Sequence, residues 1–66
     1  MILDSDTIYA MAKQRAEESN YVVVVYILDD NSHVFHQPKR GMLPIDIANR
    51  VVSSYSVYPE SMIVKR

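Results

Sequence analysis

The chain has 66 residues, a net charge of −1 and no cysteine, so residues 1–66 make a single small domain with no disulfides to reinforce a core that buries only about 60% of the unfolded surface. Hydrophobic content of 48% and charged content of 23% are those of an ordinary globular protein, and no apolar run approaches the ~20 residues needed to cross a bilayer, which excludes wholesale disorder and a membrane span. The near-zero balance also excludes a general nucleic-acid coat, whose affinity needs an excess of Lys and Arg.

The opening Asp4-Ser5-Asp6-Thr7 offers N-cap candidates and places carboxylates at the positive end of a helix dipole. Ile8, Met11, Ala12, Ala16, Ser19 and the stem of Arg15 then recur at spacings of three and four, which predicts a helix over 5–19 with a narrow apolar stripe. Asn20, tolerant of left-handed backbone, is its natural stop. Tyr21 to Leu28 is an unbroken apolar run rich in β-branched residues, a strand covered on both sides. Asp29 to Ser32 supplies turn chemistry, and Ser32 to Gln37 supplies an alternating second strand. A hairpin loop of two or of four residues places Leu28 opposite His33, Tyr26 opposite Phe35 and Val25 opposite His36. After Pro38 a connector runs through Gly41. Pro44, Ile45, Ala48, Val51, Val52 and Tyr55 predict a second helix over 44–55. Ser61 to Lys65 is the expected third strand.

The order helix, strand, strand, helix, strand fits an α+β two-layer fold with a mainly antiparallel three-stranded sheet of order 2-1-3. That order puts the valine-rich strand in the centre, where its composition suits it. Two short helices on one face leave an apolar strip on the other: Val22, Val24, Tyr26, Leu28 and Phe35, or Val23, Val25, Ile27 and Val34. Either the helices divide between the faces, or the bare face is an interface, with self-association favoured in a chain with so little core.

Chemistry is sparse. One glycine leaves no phosphate-cradling loop or dinucleotide fingerprint. His33 and His36, three apart on a strand, point to opposite faces and suit no shared metal ion. The serines sit at helix ends and turns, and Asp29-Asp30 reads as turn chemistry rather than a catalytic pair. No cofactor, no metal and no enzyme activity are expected. Charge is nevertheless separated. Residues 1–30 carry six acids against two bases and residues 31–66 carry five bases against two acids. The topology gathers Lys39, Arg40, Lys65 and Arg66 at one pole, with Asp4, Asp6, Asp29, Asp30 and Glu60 at the other.

These residues match the motif of no family. A compact, glycine-poor chain of this kind has the general character of a cytoplasmic accessory protein. The expectation is a non-enzymatic interaction or regulatory module that binds a larger protein partner, or its own copy, through Val24, Tyr26, Leu28, His33 and Phe35. The alternative is a nucleic-acid or polyanion binder that uses the four basic residues, with Tyr26 and Phe35 side by side to stack on bases.

Overall fold

A computed structural model of the chain describes residues 4–63. Helix α1 covers Ser5–Ser19, strand β1 Val23–Leu28 and strand β2 His33–His36. A 3-10 turn at Pro38–Arg40 and a one-turn helix, α2, at Ile45–Ala48 lead to strand β3, Val51–Val57, and a last 3-10 turn covers Glu60–Met62. The sheet order is β2-β1-β3 with both pairings antiparallel. The fold is α+β, two helices with a three-stranded antiparallel sheet of order 2-1-3, as the composition of the central strand implied. Among the described residues no helix is long and apolar enough to cross a membrane.

Helix α1 forms where the sequence places it. The Asp4 carboxylate accepts the Thr7 N–H at 2.7 Å, which satisfies one of the donors the first turn leaves unpaired. Asn20 closes the helix at φ 55° and ψ 38°, with its N–H donated to the Ala16 carbonyl. Ile8, Ala12 and Ala16 face the sheet, and the two alanines let the helix approach closely enough to bury Val23, Val25 and Val57. Burial of each such valine stabilises the fold by about 1.5–3 kcal/mol. Phe35 and Tyr55 extend this core toward the two sheet edges.

The hairpin differs from expectation by one residue. Its loop has three residues, Asp29 to Asn31: Leu28 donates to Ser32 O at 2.8 Å, Asn31 donates to Leu28 O at 3.0 Å, and Asn31 sits at φ 70°. This is a type I turn followed by a left-handed residue, the usual three-residue hairpin connection. The pairs are therefore Val24 with His36, Val25 with Phe35, Tyr26 with Val34 and Ile27 with His33. Side chains alternate faces along a strand, so loops of two and four residues give one arrangement and a loop of three gives the other. Tyr26 and Phe35 consequently lie on opposite faces.

The second helix is also shorter than its pattern predicted, and the third strand lies earlier. Helix α2 ends at Ala48, and Asn49-Arg50 turn the chain into β3, which occupies the segment expected as the helix's second half. Val51 and Val52 are stiff at χ1, and three serines compete for the backbone, so helix propensity there is low. Pairing with β1 fills that strand's second edge instead, from Val23 with Val57 to Ile27 with Ser53. A register shift between Ile27 and Leu28 leaves Val52 outside the ladder. Of the expected strand 61–65, Ser61 and Met62 belong to the 3-10 turn and Ile63 caps it, while residues 64 and 65 lie outside the described residues.

Candidate anion-recognition site

The α1 face of the sheet carries Val23, Val25, Ile27, His33, Phe35, Tyr55 and Val57, and the other face carries Val24, Tyr26, Val34, His36, Ser54 and Ser56, as the two registers require. The five residues expected to form one interface are thereby divided. Val24 and Tyr26 are half-buried on the face away from α1, His33 and Phe35 are half-buried on the helix face, and Leu28 is buried. The far face is also approached from within the chain, because His36 Nε2 lies 2.9 Å from Gly41 O. A carbonyl only accepts, so Nε2 carries the proton in this bond. Gly41 holds φ +110°, a backbone angle that other residues rarely adopt, and this turns the connector back toward His36. The Tyr26 ring lies against the His36 ring, with centroids 6.1 Å apart.

A cavity of about 150 Å³ opens where α1, the end of β2 and the 3-10 turn meet, lined by Arg15, Phe35, His36, Gln37 and Arg40. Each wall has a local cause. Arg15 lies at the margin of the α1 stripe, and its guanidinium stands 5.7 Å from the Phe35 ring centroid, which holds the charge in place over an apolar surface. Gln37 is buried and donates from Nε2 to Ser19 Oγ at 2.6 Å, while Ser19 Oγ donates to Arg15 O at 2.8 Å. This chain of bonds ties the end of β2 to the last turn of α1. Pro38 opens the 3-10 turn, and Arg40 N donates to Gln37 O at 2.9 Å, which brings Arg40 to the cavity rim. Lys39 stands beside it, its ammonium 5.0 Å from the Tyr21 ring centroid.

Among the described residues the ion pairs are Lys13 with Glu60 and Arg50 with Asp29 and Asp30. Arg15, Lys39 and Arg40 take part in none of them, so these three cations have no ion-pair partner among the described residues. Two arginines line this cavity, and a guanidinium can hold a carboxylate or phosphate group through paired N–H donors. Lys65 and Arg66, expected in the same cluster, lie outside the described residues.

Of the acidic residues, Glu60 is placed differently from expectation. Asp29 and Asp30 lie at the hairpin end, where Arg50 meets Asp29 at 3.1 Å and Asp30 at 2.9 Å. Hydrogen bonding from Ser32, with a smaller contribution from Arg50, lowers the Asp30 pKa to about 2. Glu60 belongs to the other end. Its N–H donates to Glu17 at 2.8 Å, and its carboxylate lies 3.4 Å from Lys13 Nζ, beside the last turns of α1. Lys13 also donates to Tyr58 O at 2.8 Å, and Ser61 bonds to Asn20. Glu60 was expected at the opposite pole because the third strand was placed after it, whereas it follows β3.

Arg15 and Gln37 are the site residues the sequence did not single out. Arg15 read as a stem in an apolar stripe, and the available signal was a permanent charge at the edge of that stripe. Gln37 read as the last polar residue of a strand. Among the described residues no three His, Asp or Glu side chains gather where one metal ion would sit. Comparisons of the chain with protein-family models, with curated proteins and with solved structures found no match.

Proposed function

We propose that this chain is a small, non-enzymatic interaction module of the cytoplasm that docks onto an acidic segment of a larger protein. The observation that carries the reading is the convergence of Arg15 and Arg40 on one cavity beside Lys39, with no ion-pair partner for any of the three among the described residues. Such cations are available to a ligand without first breaking an internal bridge. A protein ligand is favoured over a nucleic acid because Tyr26 and Phe35 lie on opposite faces and present no joint stacking surface. The non-enzymatic part of the reading is supported by His33 and His36 lying on opposite faces and by Arg50 engaging both hairpin carboxylates.

Titration calorimetry with a glutamate-rich peptide and with a single-stranded oligonucleotide of equal charge tests this. The peptide should bind at low salt, and the double variant Arg15→Ala, Arg40→Ala should weaken it about tenfold or more, the loss of roughly 1.4 kcal/mol of charge-assisted contact. Tighter binding of the oligonucleotide would move the reading to the polyanion alternative, and binding of neither ligand would overturn both.

A further inference from the structure

The two edges of the sheet are unequal. The β2 edge has only four residues, ends before Pro38, and is bordered by Arg15 over Phe35 and by the connector at His36. Short length, proline and neighbouring charge are the devices by which proteins discourage a further strand from pairing. The β3 edge has seven residues, Val51–Val57, and none is charged or proline. Its first pairing side is taken by β1, and among the described residues no strand pairs with its second. A row of unsatisfied backbone donors and acceptors in such a strand is a template for another strand.

We infer that β3 pairs antiparallel with β3 of a second copy of the chain, giving one continuous six-stranded sheet about a twofold axis at Tyr55. The sequence of the regular part of the strand, Ser53-Ser54-Tyr55-Ser56-Val57, carries this choice of partner. In that register Tyr55 meets its own copy, Ser54 meets Ser56 and Ser53 meets Val57. Every pair joins residues of the same face: Ser53, Tyr55 and Val57 lie on the α1 face, and Ser54 and Ser56 on the other. The apolar layer of Tyr55 and Val57 thus continues across the join, and the serines meet as small hydroxyl pairs without steric conflict. The same register brings Val52 opposite Tyr58 of the second copy. These side chains are 66% and 51% exposed in the single chain, so the pairing covers two of its larger exposed apolar groups. An isologous contact of this kind closes on itself as a dimer. Both Arg15–Arg40 cavities stay open, because they lie at the β2 edges on the outside of the joined sheet. The inference is independent of the proposed function.

The test is sedimentation of the full chain over a concentration series with charge-swapped variants. Wild type should approach twice the 7.6 kDa chain mass at high micromolar concentration. Ser54→Lys with Ser56→Lys sets like charges opposite each other in two pairs and should raise the dissociation constant about tenfold or more. Ser54→Glu with Ser56→Glu should do the same, and an equimolar mixture of the two variants should form heterodimers. Both residues are exposed, so the single chain should keep its fold by circular dichroism. The chain lacks cysteine, so Ser54→Cys mixed with Ser56→Cys should give a disulfide heterodimer faster than either variant alone. A wild type that stays at chain mass, a lysine variant that dimerises as wild type does, or equal cross-linking of each cysteine variant with itself would each overturn the pairing.

Discussion

Asp30 accepts the Ser32 N–H on one carboxylate oxygen at 3.0 Å and meets the Arg50 guanidinium with the other at 2.9 Å, while Asp29 receives Arg50 Nε at 3.1 Å. The backbone adds to this, because Asp29 N donates to Arg50 O at 2.9 Å. One arginine therefore fastens the hairpin to the start of β3. Bonding from Ser32 is the larger reason that the Asp30 pKa falls from 3.8 to about 2, and Arg50 is the smaller. A carboxyl group that ionises more easily in the folded than in the unfolded chain stabilises the fold fully above its unfolded pKa. That contribution drains away as pH falls through the folded value. Asp30 should thus support the fold down to about pH 4 and lose its effect between there and about pH 2. Asp4, lowered by its bond from Thr7, acts in the same sense. A carboxyl-detected NMR titration checks the ranking: Ser32→Ala, which removes the hydroxyl that contributes most to the shift and keeps the N–H, should raise the Asp30 midpoint more than Arg50→Ala does. The reverse order would mean that the ion pair governs the turn. Nothing local in the sequence announced this contact, since Arg50 lies twenty-one residues beyond Asp29 and reaches it only after β3 has found its place.

At the scale of elements, α1 was readable in full because each of its signals is local: a carboxylate cap, an apolar stripe and an asparagine stop. The hairpin was readable as a hairpin, but its loop length was not. Asp29 to Ser32 contains turn formers throughout, and nothing in their identity separates an odd loop from an even one. The separation lies in Asn31, whose left-handed conformation makes the three-residue loop. Asn31→Gly should hold stability or raise it slightly, whereas Asn31→Val should cost about 1–2 kcal/mol in chemical denaturation, the penalty of left-handed backbone for a branched residue. Equal stabilities would show that this backbone angle is not required in solution. The β3 segment was misread because Ile45, Ala48, Val51, Val52 and Tyr55 satisfy a helical period. The same segment read at period two puts Ser53, Tyr55 and Val57 together, and tertiary demand decided between the two. The candidate cavity was half legible. Arg40 was visible as part of a charge cluster, whereas Arg15 joins it only through the packing of α1 on Phe35.

For the molecule as a whole, the strand richest in valine is sealed on one edge by a neighbour in sequence and on the other by a segment that begins at Val51. Removing the later segment leaves a long apolar strand with one bare edge. A chain ending at Asn49 should therefore scatter light and bind an amyloid dye under conditions where the full chain stays clear. A clear, monomeric fragment would show that α1 and the hairpin alone protect the strand. The two edges are also sealed at different times. Closing a three-residue hairpin takes far less chain entropy than bringing Val51 to Leu28 across the intervening connector, so β2 should dock first and β3 later. In that interval Val23, Val24 and Val25 present an open edge, and a strand from a neighbouring molecule competes with β3 for it. At high protein concentration the yield of folded chain is then set by how quickly β3 arrives, and a change that slows the connector without touching a native contact lowers solubility while leaving equilibrium stability unmoved.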